Sequence, residues 1–511
     1  MMHIVCMLHI VNTSHELPVR PGTLGAVSPA RSNAIVLVLA FAGITAAIMQ
    51  TLVVPLIAEL PTILGTTASN TSWVITATLL SAAVMTPTSG RLGDLYGKRR
   101  LMLICGSLLV IGSIVCATAG SVVPMVAGRA LQGAGMGLIP LGISAMRDIL
   151  PAERLGTSIA LMSASMGVGG ALGLPIAAAV AQNASWRTLF WGATVLAVVV
   201  VILIATLIPA APVTARGRFD LPGAIGLGVA LVCLLLGVSK GADWGWGSPT
   251  IIALLAAAVV LVLIWGWYEL RVTDPLVDLR VTARPVVLLT NVSSLVIGFA
   301  MYAQSLIIPQ LLQLPTSTGF GLGQDMLHMG LWMMPGGLMM MLVSPFGARL
   351  SHARGPKVSL VLGAAVVAVG YLSAIVLMGS ILGLAVAVAI SSSGVGLAYG
   401  AMPALIMGSV PRSETGSANS FNTLMRSIGT SVSAAIVGVV LSQMTLDLGG
   451  GFTVPSRAGF VTGLLLGAGA AAVAAVVATT IPARASALAE QNLEHPVEED
   501  AERPVIAAHA H

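Results

Sequence analysis

Charge is scarce in this chain: only 8% of its 511 residues are Asp, Glu, Lys or Arg, and aromatic residues make up 4%. A soluble domain carries about a quarter of its residues charged, so a water-soluble globular protein is excluded. Cysteine is scarcer still. Cys6, Cys105, Cys116 and Cys233 fit no metal-ligand spacing, and the last three read as small hydrophobes inside apolar runs. No metal or cofactor is expected. Acidic side chains are missing from the middle of every long apolar run, and the short connections hold no cluster of carboxylates, histidines or nucleophiles. That speaks against a membrane-embedded enzyme.

What is present is apolar sequence, 56% of the chain, together with 57 glycines. This is the composition of a protein that crosses a membrane many times. Fourteen segments are long enough to span, at about 34–58, 73–90, 100–119, 123–146, 156–181, 187–208, 221–239, 250–268, 286–312, 327–347, 357–378, 381–409, 416–444 and 458–481. The Pro/Gly/Ser-rich start and the acidic end read as disordered, solvated tails.

Basic residues give an orientation. With both termini inside, the outer loops hold only Arg187, Lys240 and Arg457, and all other Lys and Arg except Arg129 and Arg426 fall in cytoplasmic segments. Basic residues resist translocation, so the net charge of +5 reflects topology and not a nucleic-acid partner.

Three motifs recur in the same order. Pro87-x-x-x-Arg91-Leu92 with Gly97 and Arg99 returns as Pro345-x-x-x-Arg349-Leu350 with Gly355 and Lys357. Gly135-x-Gly137-Leu138 and, after it, Pro151 with Gly156 return as Gly394-x-Gly396-Leu397 and Pro411 with Gly416. An internal repeat of this kind predicts two related six-helix bundles. The expected division is a disordered segment 1–33, a first bundle 34–208, an insertion 209–285 with two helices, a second bundle 286–481 and a disordered tail 482–511.

The stretch Pro87–Arg100 reads as a short charged loop in which Gly90, Gly93 and Gly97 let two helices reverse direction. With Arg91, Leu92, Asp94, Lys98 and Arg99 it resembles the cytoplasmic loop motif of the major facilitator superfamily, although Leu95 stands where the family usually has a base. The chain after residue 33 is similar to the fourteen-span drug:proton antiporters of that superfamily. The resemblance implies an all-α fold of 14 transmembrane helices, two pseudo-symmetric six-helix bundles plus two inserted helices. It also implies a cytoplasmic gate built on the motif. Asp94 is expected near the start of span 13, with Arg91, Arg147, Asp148, Glu153 and Arg154 completing an ionic cluster.

Inside the spans, Arg129 and Gln132 resemble the family's proton-coupling motif. A guanidinium in hydrocarbon costs about 2.5–3.5 kcal/mol and faces a cavity or a partner, and it reads equally as a structural group bonding carbonyls between helices. An arginine releases no proton at physiological pH, so Glu59 at the outer end of span 1 is the expected proton carrier, with Asp325 or His328 next. Gly169, Gly173 and Pro175 resemble the antiporter motif, with Leu174, Ala178 and Ala179 at positions where the family usually has glycine; bare helix packing explains the same residues. Met49, Gln50, Tyr302, Gln304, Gln310, Trp332 and Met333 are the candidate lining of a substrate cavity, because thioethers repack around differently shaped ligands.

The implied activity is export of hydrophobic or amphipathic compounds, exchanged for protons by alternating access across a bacterial inner membrane, by a functional monomer in contact with lipid. A dedicated exporter of one metabolite, antibiotic or lipid has the same features. The family's first span often holds an aspartate where this chain has Met49, so cationic substrates are not favoured.

Overall fold

The computed structural model describes residues 29–482 apart from 54, 55, 57, 58, 72, 214, 216 and 448–452. Both end segments read as tails lie outside the described residues, except their inner margins, and so does the side chain of Glu153.

In hydrocarbon every backbone polar group needs a partner within its own segment, so long apolar sequences become helices. Fourteen long helices form among the described residues. The first seven are α1 (Pro29–Thr51), α2 (Trp73–Tyr96), α3 (Lys98–Thr118), α4 (Val122–Ile149), α5 (Ala152–Asn183), α6 (Trp186–Leu207) and α7 (Leu221–Trp244). The rest are α8 (Pro249–Glu269), α9 (Pro285–Gln313), α10 (Met326–Arg354), α11 (Pro356–Val376), α12 (Ile381–Ser409), α13 (Thr415–Gln443) and α14 (Arg457–Thr479). Thirteen are long and apolar enough to cross a membrane by composition. The other, α2, has equal length but is diluted by Thr, Ser, Gly and the charges of its last turns. A two-stranded hairpin, Thr445–Asp447 with Thr453–Pro455, joins α13 to α14.

Two corrections concern boundaries. Pro87–Arg100 is not a loop: α2 continues to Tyr96, Gly97 alone breaks it at φ 98°, and α3 starts at Lys98. Gly355, at φ 84°, makes the same break between α10 and α11, so the repeated motif encodes a repeated turn. Lys240 is not in a loop either. α7 runs on to Trp244, and Lys240 is buried in it beside Asp243, 3.0 Å away, with its ammonium over the Trp73 ring.

The core falls into separate clusters. One is drawn from α1 to α6 and the chain just beyond α6, with Met407; another from α9 to α14. A smaller one packs α7, α8 and the linker residues Leu276 and Val277 against Ala83 of α2 and Phe421 and Leu424 of α13. The halves meet along two lines related by the repeat, α2 against α13 and α5 against α10. Both lines are close. A Cβ at Gly90 would lie 2.5 Å from the Gly416 carbonyl oxygen, and one at Gly330 would lie 3.0 Å from the backbone of Pro175.

Candidate functional site

At one end of the α2–α13 line the first turn of α13 leaves backbone N–H groups unbonded, and the positive end of the helix dipole faces α2. Asp94 fills that position. Its Oδ1 accepts from the Gly416 N–H at 3.0 Å and its Oδ2 from the Ser417 N–H at 2.8 Å, in a setting where the carboxylate is 3% exposed. Gly90 and Gly416 permit the approach, since a side chain on either would strike the other helix. Gly93 plays the corresponding part within the first half, against Leu141 of α4.

A basic side chain on each flank ties α4 into the same contact. Lys98 bonds Asp148 Oδ2 at 2.6 Å and sits 3.7 Å from Asp94 Oδ1. Arg147 reaches across the interface, donating to the Val410 carbonyl at 3.2 Å and the Thr415 hydroxyl at 3.0 Å. Asn419 of α13 returns a bond to the Pro140 carbonyl at 3.1 Å. Asp94, Lys98, Asp148 and Arg147 therefore form one largely buried set of contacts between the two halves at this end.

Three other expected members sit elsewhere. Arg154 bonds Asn33 of α1 at 2.8 Å rather than joining Asp94, because it starts α5 on the α1 side. Arg99 turns outward and donates to the Ala205 carbonyl at the end of α6. Arg91, buried but without a bonded acceptor for its Nε, borders a cavity of about 630 Å³ with Asp274, Asp278 and Glu414. That cavity lies between the linkers of α7 and α8 and the start of α13. Ser417 also donates its hydroxyl to the Leu276 carbonyl at 2.9 Å, so the linker after α8 is bonded to the closed end. Sequence reasoning missed this linker, because its apolar residues are too few to register as an element.

Arg129 is 2% exposed in the first half. It donates to the Met49 carbonyl at 2.8 Å, the Val74 carbonyl at 3.3 Å and Gln132 Oε1 at 2.7 Å, and Gln132 in turn donates to Ser113 at 2.8 Å. One guanidinium thereby joins α1, α2 and α4, with α3 added through Gln132. Carbonyl oxygens at the wall satisfy the charge. Glu59 is exposed on the connection after α1 and is not brought to Arg129.

Asp325 caps α10 in the open, accepting from the His328 N–H at 2.8 Å. That N–H, and then the His328 imidazole, hold its carboxyl below the usual carboxylate range. A carboxylate kept ionised in this way is poorly suited to cycling a proton near neutral pH.

Gly169 and Gly173 of α5 face α1, at Ile44 and Thr51, and Pro175 faces Gly330 of α10, so this motif is helix-packing surface on two sides. Among the candidate cavity residues, Met49 is fully buried in the first core while Gln50 is exposed, its amide 3.6 Å from Met136 Sδ. Gln304 accepts from Ser391 of α12. Tyr302, Gln310, Trp332 and Met333 are half-buried on α9 and α10, the last two against the second core. Arg426 of α13 is a buried arginine to which sequence reasoning gave no role; its guanidinium stacks on Tyr399 of α12 at 4.4 Å.

Two helical bundles in contact along paired, glycine-lined seams, bonded to each other at one end by a buried ionic network, are the architecture of a multi-pass membrane protein built from two related halves. The chain belongs to the Major Facilitator Superfamily, whose family model matches residues 39–222 and 221–434. It is 28% identical over 423 residues to an uncharacterized MFS-type transporter of Mycobacterium tuberculosis, covering 81% of this chain and 60% of that protein. The chain thus spans about three-fifths of the length of that relative. It is also 28% identical over 386 residues to the multidrug resistance protein Stp of the same species, covering 72% of this chain and 68% of Stp. The crystal structure of the human organic anion transporter MFSD10 superposes with a TM-score of 0.61 at 15% identity, covering 88% of this chain and all of that one, which is a likeness of fold.

Proposed function

We propose that the protein is a proton-coupled exporter of hydrophobic or amphipathic small molecules, a fourteen-span drug:proton antiporter of multidrug type working by alternating access. The observation that carries this reading is the Asp94 network. A carboxylate seated on the N–H groups of Gly416 and Ser417, with Arg147 crossing the same seam, supports a closure between the two halves at this end. The basic residues around it support reading this as the cytoplasmic end, with both termini on the cytoplasmic side of a bacterial cell membrane. On that orientation the described state is closed toward the cytoplasm.

The similarity to Stp supports export of more than one compound. Tyr302, Gln304, Gln310, Trp332 and Met333 are proposed as the substrate-facing group of the second half, with Gln50 opposite. Arg129 and Gln132 are proposed to fix the relative positions of α1, α2 and α4 through the cycle. Breadth is tested by expressing the protein in a drug-sensitive strain and measuring susceptibility to a panel of unrelated amphipathic compounds. Raised tolerance to several is expected; protection against a single compound class would point instead to a dedicated exporter.

A further inference from the structure

The inserted helices carry a buried carboxylate pair that the Asp94 network does not use. Asp220 caps α7: its Oδ1 accepts from the Gly223 N–H at 2.9 Å and from the Tyr268 hydroxyl at 3.1 Å. Glu269 is the last residue of α8. The two are 6% and 2% exposed; Asp220 Oδ2 and both carboxylate oxygens of Glu269 meet no donor at full hydrogen-bond geometry, the nearest donors to Glu269 being the Trp265 indole N–H and the N–H groups of Leu276 and Val277. They converge on one point. A Cβ added to Gly223 would touch Asp220 Oδ2 and lie 2.6 Å from Glu269 Oε1, so the missing side chain is what lets both carboxylates occupy the same space.

Among the described residues no basic side chain lies within ion-pair distance of either group. On α8 the titratable neighbour is Tyr268, already bonded to Asp220, while Arg271 stacks on Trp267. On the linkers, Arg218 offers its backbone N–H to Asp274, and the Arg280 guanidinium donates to the carbonyl of Leu270, next to Glu269, at 2.8 Å. The charged groups of the adjoining cavity, which Val277 also borders, are Arg91, Asp274, Asp278 and Glu414. From α2 and α13 the residues packed on this cluster are apolar, among them Ala83, Phe421 and Leu424. With no countercharge among the described residues, ionising the buried Glu269 carboxyl beside the Asp220 carboxylate is costly.

The pair is wired to the closed end. The backbone N–H groups of Leu276 and Val277 face Glu269 without reaching full hydrogen-bond geometry, and the Leu276 carbonyl accepts from Ser417, whose own N–H is held by Asp94. Leu276 and Val277 are buried between α2, α7 and α13.

We infer that Asp220 and Glu269 form a proton-binding site whose occupancy sets the closure of the Asp94 end through the linker at Leu276–Val277. An ionised Glu269 attracts the two linker N–H groups and keeps the linker seated against α13. Protonation removes that attraction, loosens the linker from Ser417, and favours separation of α2 from α13. The inference rests on the Asp94 network being the gate, and requires neither a known substrate nor a gradient.

The test follows the separation of spin labels on Tyr96→Cys and Arg412→Cys, exposed positions flanking the network, in the full chain with its native cysteines replaced. The purified protein is titrated from about pH 5 to about pH 9 in lipid nanodiscs. The separation is expected to lengthen as pH falls. Glu269→Gln should fix the longer separation at every pH. Asp220→Asn, which leaves Glu269 without its repelling neighbour, should move the midpoint to lower pH by about one unit or more. No pH response in the parent protein overturns the inference, as does a Glu269→Gln protein that titrates like the parent. A separation that follows sodium at constant pH would mark a metal-cation site and overturn it too. The measurement is independent of dye export, so failure of the exporter reading leaves its outcome interpretable.

Discussion

Replacing Asp94 with asparagine keeps the side-chain volume and removes the charge from the two hydrogen bonds that meet the start of α13. Bonds to a charged acceptor contribute about 1.5–3 kcal/mol each, and losing about 2 kcal/mol shifts a two-state balance by about 30-fold. Asp94→Asn should therefore spoil closure at this end, and efflux per molecule in the membrane should fall to about a tenth or less. Immunoblotting of membranes separates that loss from poor expression, and full activity would contradict the gate. Asp325 behaves oppositely. Its lowered carboxyl range means the α10 cap is complete above the usual Asp range and is lost only as pH falls through the lowered value. The efflux–pH profile of Asp325→Asn should then overlay the parent's near neutral pH, and a displaced profile would show that Asp325 does carry protons.

The two seams belong to the scale of helices. At Gly90 a side chain would meet the Gly416 carbonyl, whose hypothetical contact is 2.5 Å, and the hydroxyl of Ser420. Gly90→Leu should hold α2 and α13 apart and make Ser417, introduced as Ser417→Cys, react faster with a membrane-impermeant thiol reagent from the Asp94 end. Unchanged reactivity would mean the seam tolerates bulk. The helices themselves were legible from apolar length, and the repeat was legible because Gly97 and Gly355 make the same positive-φ turn. The misreadings have physical causes. Gly90 and Gly93 look like turn residues, yet here glycine serves close packing inside a helix whose backbone is already bonded. Lys240 looks like a loop end because charge usually stops a span, but Trp73 and Asp243 shelter its ammonium. Asp220 and Glu269 stood at the ends of separate apolar runs. Only the pairing of α7 with α8 brings the second carboxylate beside the first.

Among the described residues the acidic side chains lie at helix ends or on the connections between helices, while the buried mid-span charges, Arg129 and Arg426, are positive. Burying an unpaired charge is costly, and a dication entering such a cavity would find no carboxylate to meet it. Resistance conferred by the protein should be greater for neutral amphipaths than for bivalent cationic biocides, as minimum inhibitory concentrations would show; the reverse order would contradict this account of the cavity. Orientation is a property of the same scale, and the network at the basic end gives it mechanical meaning. The claim on which all of this converges is that a proton gradient drives export. Purified protein reconstituted into proteoliposomes, loaded with a neutral fluorescent amphipath, tests it directly. Imposing a pH gradient should accelerate dye movement, dissipating it with a protonophore should abolish the acceleration, and Asp94→Asn vesicles should show neither. Dye movement that is equally fast with and without the gradient would contradict the account.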